Sequence, residues 1–394
     1  MQRQEILEHA RLVNAVVGIG GDMEPVEVMP AIARSWNRCV HDFGLDPIRD
    51  EPLVVLESRQ LKARQEKLAR LRAIAQGEMA TLYQQLAGSG FSVLLTDSDG
   101  VVLDLLGDPS FTDTATECGM MEGVVWSERY QGTNGMGTCA IEQRPILIHH
   151  NEHFLTRNVG LTCSAAPIFD HEGSLLAVLD ASSFSHMAQQ HTLVLVNMSA
   201  QMIENRVFLC RFRDHYALRF HSRPEFIGTL WEGALALDED GRILAANRSA
   251  LFQLGYKKPA DLLGLRVADL FNTGMAELLG KKNQGWLNPV PLYEARQGNR
   301  FFGLIRPPET QTSAAPAAAA PASARRAQPS QAAPGGHKVI GLDELQFGDQ
   351  AMEYNVRCAR RVLGKDIPML LSGETGTGKE IVAHFTSSPY LALE

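Results

Sequence analysis

The stretch that decides the fold class is residues 91–103, which read FSVLLTDSDGVVL. Two apolar runs flank an Asp-Ser-Asp-Gly turn, a pattern typical of a β-hairpin. The pattern recurs at residues 165–179, where AAPIF and LLAVL flank an Asp-His-Glu-Gly turn, and the apolar run at 145–149 predicts a fifth strand. Residues 90–184 therefore predict an antiparallel sheet with flanking helices, which is an α+β domain.

Residues 222–306 predict a second, smaller α+β domain. ALAL at 234–237 and RILAA at 242–246 flank an Asp-Glu-Asp-Gly turn, and a helix is expected from Asn247 to Leu254. Two late strands are predicted near residues 287–295 and 300–306. The repetition is of supersecondary structure rather than of sequence, and it indicates two sensor folds in tandem.

Two long helices are predicted at the edges of the first domain. Residues 58–87 are rich in strong helix formers. Between about residues 186 and 215, apolar side chains recur three and four positions apart. These side chains are Leu193, Val196, Ala200, Ile203, Val207 and Cys210. The spacing fits a helix that packs on its own domain, and it also fits a signalling helix that forms a homodimer, so both interpretations stay open.

The amino-acid composition excludes several classes of protein. The 394 residues are 45% hydrophobic and 21% charged, which is ordinary for soluble globular domains and suggests two or three of them. A net charge of −8 excludes the chain as a whole from the basic nucleic-acid-binding class. No apolar run reaches the length of a membrane span, no signal peptide is expected, and six cysteines form no C-x-x-C pair. These features favour a reduced, cytoplasmic protein.

An Ala/Pro-rich linker is predicted at residues 307–337. Its central part, residues 312–336, reads TSAAPAAAAPASARRAQPSQAAPGG. Such a segment has too little large apolar surface to offset the entropy of ordering, and its prolines interrupt any alanine-driven helix. The linker separates the two predicted sensor domains from a C-terminal segment at 338–394.

The sharpest single motif is a phosphate-binding loop in that segment. Its residues are Gly373, Glu374, Thr375, Gly376, Thr377, Gly378, Lys379 and Glu380. A short apolar strand precedes them and a helix-like stretch follows, which is the context that such a loop requires. Backbone N–H groups would face the phosphates of a nucleotide, and Lys379 would reach the terminal ones. Only 14 residues follow Glu380, so we expect no complete ATPase within this chain.

Metal and catalytic sites are poorly supported by the sequence. HHNEH at 149–153 brings three imidazoles together, but adjacent histidines on a strand face opposite ways and no further ligand lies at metal spacing. Cys163 and Ser164 lack a nucleophile-elbow motif. We therefore predict no metal site and no catalytic residue.

A second glycine-rich stretch, QGTNGMGTC at 131–139, lacks the spacing of a dinucleotide fingerprint. It predicts either a tight turn that caps a helix or a turn that lines the cavity of a small polar ligand. For the second case the predicted ligand-binding residues are Trp126, Tyr130, Thr133, Asn134, Thr138, His153, Phe154 and Ser164. The aromatic members would form apolar walls, and the others would supply hydrogen bonds.

Seven motifs follow one another along the chain in an order that is informative as a set. They are ARSWNRC at 33–39, FGLDP at 43–47, GTNGMGT at 132–138, EHF at 152–154, CSAAPI at 163–168, LDAS at 179–182 and GETGTGKE at 373–380. Together they resemble the acetoin catabolism regulatory protein family of sigma-54-dependent transcriptional activators.

This resemblance implies a layout of the chain. An N-terminal helical segment would occupy residues 1–57, a GAF sensor domain with flanking signalling helices 58–213, and a PAS-like domain 222–306. Residues 338–394 would be the beginning of a AAA+ ATPase domain, truncated early. The family commonly has glutamate at the position of Glu380, in place of the usual Ser or Thr after the lysine.

The resemblance also implies function and partners. The GAF domain would bind a small inducer such as acetoin or a related alcohol, diol or amino alcohol, and no cofactor is expected in this fragment. ATP and magnesium would serve the ATPase of the full-length family. Sigma-54 RNA polymerase and enhancer DNA would be contacted only through parts beyond residue 394, and no membrane partner is expected. The chain would then be a homodimeric regulator rather than an enzyme.

Two other hypotheses stay open on sequence grounds. The chain could be an ATP-binding P-loop enzyme fragment, or a dimerisation module that binds no ligand. A haem- or flavin-bearing second domain is not expected, because His221 is placed before its first strand and no histidine or cysteine follows between 222 and 306.

Overall fold

The structure is a computed structural model that describes residues 3–19, 28–49, 52–86, 88, 90–107, 119–184, 190–280, 289–296 and 298–309. All of them belong to one compact unit, Met1–Ala317. The predicted phosphate-binding loop at 373–380, the C-terminal segment around it and nearly all of the predicted linker lie outside the described residues.

Ten α-helices and ten strands are described in this range. The helices are α1 (Arg3–Val16), α2 (Pro30–Asn37), α3 (Ser58–Lys67), α4 (Ala69–Gln85), α5 (Glu128–Gln131), α6 (Gly135–Glu142), α7 (Gln190–Arg211), α8 (Arg248–Leu254), α9 (Val267–Leu270) and α10 (Met275–Gly280). The strands are β1 (Phe91–Asp97), β2 (Val102–Gly107), β3 (Ile146–His149), β4 (Thr162–Phe169), β5 (Leu175–Ser183), β6 (Tyr216–His221), β7 (Gly233–Leu237), β8 (Ile243–Ala246), β9 (Val290–Tyr293) and β10 (Arg300–Arg306).

The first five strands form one antiparallel sheet in the order β2-β1-β5-β4-β3. The two predicted hairpins are β1–β2 and β4–β5, and β3 is the predicted fifth strand at one edge. The prediction of an α+β domain with an antiparallel sheet is confirmed for this part of the chain.

The two faces of this sheet pack against different helices, because successive side chains of a strand point to opposite sides. One face lies against α6, and its core contains Leu94, Cys163 and Val178. The other lies against α4 and α7, and its core contains Val93 and Leu179. We call them the α6 face and the α4–α7 face.

The N-terminal helices are part of the first domain rather than a separate lobe. Val13 of α1 and Ile32 and Trp36 of α2 are buried in the same apolar cluster as Trp126 and Phe154. The predicted helical segment at the N-terminus therefore contributes to the core on the α6 face.

The long helices differ from the predictions in two ways. Residues 58–87 form α3 and α4, which are separated at Leu68, where the backbone leaves helical geometry (φ −104°, ψ 18°). In α7, the predicted seam residues Val196, Ala200 and Ile203 are buried against α4 and the protein's own sheet. They are therefore not available for a coiled coil with a second chain, and a homodimer would have to use another surface.

The second sheet is also antiparallel, in the order β8-β7-β6-β10-β9. Its central strand, β6, was missed by the sequence analysis, so the placement of His221 before the first strand is wrong: it ends β6. The core below the sheet holds Phe220, Phe271 and Phe301, with ring centroids 5.4 to 5.9 Å apart in edge-to-face geometry. Within the described ranges, no helix is long and apolar enough to cross a membrane.

Candidate functional site

The glycine-rich turn between α5 and α6 is a helix cap. Asn134 Oδ1 accepts the Gly137 N–H at 2.8 Å, and Asn134 Nδ2 donates to the Gly132 carbonyl at 2.8 Å. Thr138 Oγ1 accepts the Asn134 N–H at 3.1 Å. The capping interpretation thus describes the turn, and the predicted ligand contacts of Asn134 and Thr138 are already engaged within it.

The same turn is bound by the N-terminal ARSWNRC motif. Ser35 Oγ donates to Glu128 Oε1 at 2.5 Å and lies 2.6 Å from Thr133 Oγ1, which therefore donates to Ser35. Arg38 binds the Glu128 carboxylate with Nε and Nη2, both at 2.9 Å. Ser35, Glu128 and Thr133 are fully buried. We call Ser35, Arg38, Glu128 and Thr133 the N-terminal clamp.

A second acidic group extends the clamp toward the surface. Glu142, at the end of α6, accepts hydrogen bonds from Arg34 and Arg38. Burial acts to raise the pKa of Glu142, but the two guanidinium groups outweigh it and the pKa is lowered. Burial likewise opposes the charge of Arg38, and its two carboxylate partners still raise the pKa of its guanidinium. Both charged partners are thereby stabilised in their ionised forms.

A different set of polar groups lies on the α6 face of the first sheet, deep in the domain. Asp180 Oδ2 accepts the Ser182 hydroxyl at 2.5 Å, whereas Asp180 Oδ1 and Ser92 Oγ have no hydrogen-bond partner among the described residues. Ser92 pairs with Ser182 across β1 and β5, and Leu94 pairs with Asp180, so both unpaired atoms lie on one face. We call Ser92, Cys163, Asp180 and Ser182 the Ser92–Asp180 cluster.

Burial changes the acidity of Asp180. Removal of the carboxylate from water raises the pKa of Asp180 to about 7, and the hydrogen bond from Ser182 opposes this only in part. Near neutral pH the carboxyl group is therefore present both with and without its proton. It can donate a hydrogen bond to a ligand as well as accept one.

The first residue of α6 lies directly against this cluster. A Cβ atom on Gly135 would lie 2.5 Å from Asp180 Oδ1 and 2.6 Å from Cys163 Cβ. The close approach of the turn to the sheet therefore requires glycine at this position.

Substitution of Gly135 by alanine is accordingly expected to destabilise the fold by about 1–3 kcal/mol, because overpacking forces the turn away from Asp180. The matched control is Gly274→Ala, where a Cβ would meet nothing within 4 Å. Urea denaturation of both variants measures the difference, and equal stabilities would contradict the close approach.

His153 and Cys163 form a neutral pair beside the cluster. His153 Nδ1 donates to the His150 carbonyl at 3.0 Å, which leaves Nε2 to accept from the Cys163 thiol at 3.3 Å. Burial lowers the pKa of His153 to about 3 and raises the pKa of the Cys163 thiol. The pair therefore holds no thiolate, which a nucleophilic cysteine would need.

The eight predicted ligand-binding residues do not form one site. Trp126 and Phe154 are buried on the α6 side, where Trp126 Nε1 donates to the Gly119 carbonyl at 2.8 Å. Tyr130 is 41% exposed, in contrast to these two buried rings. Ser164 is also buried. It follows Cys163 in β4, so its side chain lies on the opposite face of the sheet, the α4–α7 face, and not with the other predicted residues.

The histidine-rich stretch has a structural role in this arrangement. His149 Nδ1 lies 2.8 Å from Thr162 Oγ1, and the His149 N–H donates to Glu152 at 2.7 Å. Within the described ranges, no group of three His, Cys, Asp or Glu side chains is placed to hold a metal ion.

The most informative polar groups of the site were not among the predicted ligand-binding residues, although Asp180 and Ser182 belong to the LDAS motif. Ser92, Asp180 and Ser182 lie among apolar residues in buried strands, and polar residues on one face of such a strand are the available signal. The partnership of Arg38 with Glu128 joins residues 90 positions apart and has no local signal.

The known proteins that are similar to this chain include transcriptional regulators. Residues 14–205 match the family model "MimR, N-terminal domain", and residues 345–389 match the sigma-54 interaction domain. The chain is 33% identical over 381 residues to the acetoin catabolism regulatory protein of Cupriavidus necator, across 92% of this chain and 54% of that protein. The resemblance to the acetoin catabolism regulatory protein family is confirmed.

A second relative is a transcriptional activator. The acetoin dehydrogenase operon transcriptional activator AcoR of Bacillus subtilis is 30% identical over 187 residues, across 48% of this chain and 31% of that protein. The chain thus spans about half the length of the Cupriavidus regulator and about a third of the Bacillus one.

A solved structure is weakly similar over part of the chain. A chain of the E. coli DhaR(N)–DhaL complex is covered completely and covers 71% of this chain, at 17% identity and a TM-score of 0.44.

Proposed function

We propose that this chain is the ligand-sensing region of a sigma-54-dependent transcriptional activator, and that its ligand is a small polar metabolite. The ligand class is an acetoin-like ketone, alcohol, diol or amino alcohol. The observation that carries the proposal is the pair of buried, unpartnered polar atoms, Ser92 Oγ and Asp180 Oδ1, on adjacent strands of the first sheet.

The chemistry of these atoms favours a small ligand with a hydroxyl or carbonyl group. Leaving a buried polar atom unpaired costs about 1–3 kcal/mol, and a ligand that pairs with it recovers this free energy. Ser92 can donate or accept, and so can Asp180 near neutral pH. The surrounding side chains Leu94, Met136 and Val178 are apolar and suit methyl groups.

A ligand bound at the Ser92–Asp180 cluster would affect the rest of the chain through two structural connections. Asp180 lies against Gly135, so displacement of its side chain would move the turn that the N-terminal clamp holds. Strand β5 also precedes α7, which leads into the second domain. A ligand that prefers one position of these elements would shift their equilibrium.

In this proposal the first domain is a GAF sensor and the second a PAS-like domain. The matched sigma-54 interaction domain includes the phosphate-binding loop at 373–380, which supports ATP and magnesium as ligands of the complete regulator. Sigma-54 RNA polymerase, enhancer DNA and a second copy of the chain are the proposed partners of the complete regulator. The chain itself would act as a regulator rather than as an enzyme.

Calorimetric titration of the full chain tests the proposed function. The panel is acetoin, 2,3-butanediol, ethanolamine and 2-propanol, and at least one of them is expected to bind saturably and to raise the melting temperature. If the folded chain binds none of these compounds, the proposed class of inducer is refuted, and a dimerisation module without a ligand is favoured. Tight ATP binding by the same chain would instead favour the nucleotide-binding hypothesis.

A further inference from the structure

A cleft lies between the two domains, away from the Ser92–Asp180 cluster. Its volume is about 470 Å³, within the range of sites that bind small molecules. The C-terminal half of α7, the turn between β4 and β5, and the residues around the start of α8 form its walls.

Hydrogen bonds between the two domains hold these walls in place. Asn205 of α7 donates to the Leu230 carbonyl at 3.1 Å and accepts from Asn247 at 2.9 Å. Arg248 Nη2 lies 3.3 Å from Glu204 Oε1. Because the walls are already positioned, a ligand would lose little affinity to ordering of the protein.

The charged groups of the cleft favour an anion. Arg211, Arg248 and Lys257 line it, and so do two acids, Asp170 and Glu204. Asp170 accepts the N–H groups of residues 172 and 174 within its own turn. Glu204 accepts the Phe169 N–H at 2.9 Å, and burial raises the pKa of Glu204 to about 7. Both acids are thus engaged by backbone N–H groups, and three basic side chains against two acidic ones leave a surplus of positive charge.

The remaining lining is apolar and includes aromatic rings. Phe169, Leu176, Val207, Phe208 and Leu251 all line the cleft. The guanidinium carbon of Arg248 lies 4.6 Å from the centroid of the Phe169 ring. A ligand with an apolar body would cover these side chains while its charged group faces the basic ones.

We propose that this cleft is a second effector site, which binds a small carboxylate with an apolar body. The carboxylate pairs with Arg211, Arg248 and Lys257, since guanidinium and ammonium groups are strong donors to such an anion. Its body rests on Phe169 and Phe208. Because this ligand contacts both domains, it favours their present arrangement independently of the Ser92–Asp180 cluster.

Titration of the full chain with benzoate, phenylacetate and butyrate at constant ionic strength tests the ligand class. Benzyl alcohol is the matched neutral probe for benzoate. At least one carboxylate is expected to bind saturably, and benzoate at least tenfold more tightly than benzyl alcohol. The absence of saturable binding by all three up to about 10 mM would overturn the proposal.

Variants test the location of the site. Arg211→Gln and Lys257→Gln are each expected to weaken carboxylate binding about tenfold, the loss of one charge-assisted hydrogen bond. Lys258→Gln is the matched control, since Lys258 is exposed and does not line the cleft. Equal affinities of the Lys257 and Lys258 variants would overturn the proposal. Ser92→Ala should leave carboxylate binding unchanged, so failure of either proposed site is distinguishable from failure of the other.

Discussion

Replacement of Arg38 by methionine is expected to lower the free energy of unfolding by about 3–5 kcal/mol, because it leaves a buried carboxylate without its charged partner. The Glu128 side chain is 0% exposed, and Arg38 binds it through two hydrogen bonds of 2.9 Å. Methionine keeps much of the apolar length of arginine and removes both the charge and the hydrogen-bond donors. Urea denaturation of the full chain measures the loss.

The control for this prediction is Arg34→Met. Arg34 also pairs with a glutamate, Glu142, but its own side chain is 53% exposed. Because Arg34 is largely exposed and Arg38 still binds Glu142 in its absence, this variant should lose far less stability. In the Arg38→Met background, Glu128→Gln should recover part of the loss, since the glutamine carries no charge to bury. Equal losses in the two arginine variants would show that Glu128 is not a buried charge.

Substitution of Asp180 by asparagine is expected to raise stability at and above neutral pH. Burial raises the pKa of Asp180 from 3.8 to about 7 in the folded chain. Between these two pKa values the folded state keeps a proton that the unfolded state has lost. The stabilisation of the folded state by protonated Asp180 is therefore complete below pH 3.8 and is lost as the pH rises to about 7. At about 1.4 kcal/mol per pKa unit, wild type should lose about 4 kcal/mol across the window, and the asparagine variant should not.

The contribution of His153 to stability changes with pH in the opposite direction, which makes the comparison of wild type with Asp180→Asn more sensitive. Burial lowers the pKa of His153 from 6.5 to about 3, so its contribution is complete above pH 6.5 and is lost as the pH falls to 3. The two groups therefore oppose each other in wild type between about pH 4 and 6.5. In Asp180→Asn the histidine acts without that opposition, and acid should destabilise the variant more steeply. Parallel stability profiles of the two proteins from pH 4 to 8 would contradict the buried ionisation.

Local patterns were sufficient to predict most of the fold. The hairpins β1–β2 and β4–β5 each carry an acidic-glycine turn between apolar runs, and those signals lie within about 15 residues. Strand β6 was missed because it follows α7 after a short connection and ends in Arg219 and the polar His221. Periodicity alone also left the partner of α7 open, since the same spacing serves an intramolecular core and a dimer.

The site was predicted less well, because its contacts join distant parts of the chain. The GTN turn was recognised as polar and structured, but Ser35 lies 98 residues from its partner Thr133, and Arg38 lies 90 residues from its partner Glu128. Ser164 was assigned to the site as the neighbour of Cys163, although the alternation of β4 places it on the other face of the sheet. Which polar side chains meet depends on the face of the sheet that each one occupies. That face follows from the register of strand pairing and not from how close two motifs are in the sequence.

The central claim is that a small polar ligand binds on the α6 face of the first sheet, and two serines on opposite faces test it. Ser92 and Ser164 are both buried, and both have a hydroxyl without a partner among the described residues. The decisive measurement is the calorimetric affinity of Ser92→Ala and Ser164→Ala for the tightest-binding member of the metabolite panel. Ser92→Ala should weaken binding about tenfold, the loss of one buried hydrogen bond, while Ser164→Ala should stay within about twofold of wild type. Unchanged affinity in Ser92→Ala, or a larger loss in Ser164→Ala, would contradict a site on the α6 face.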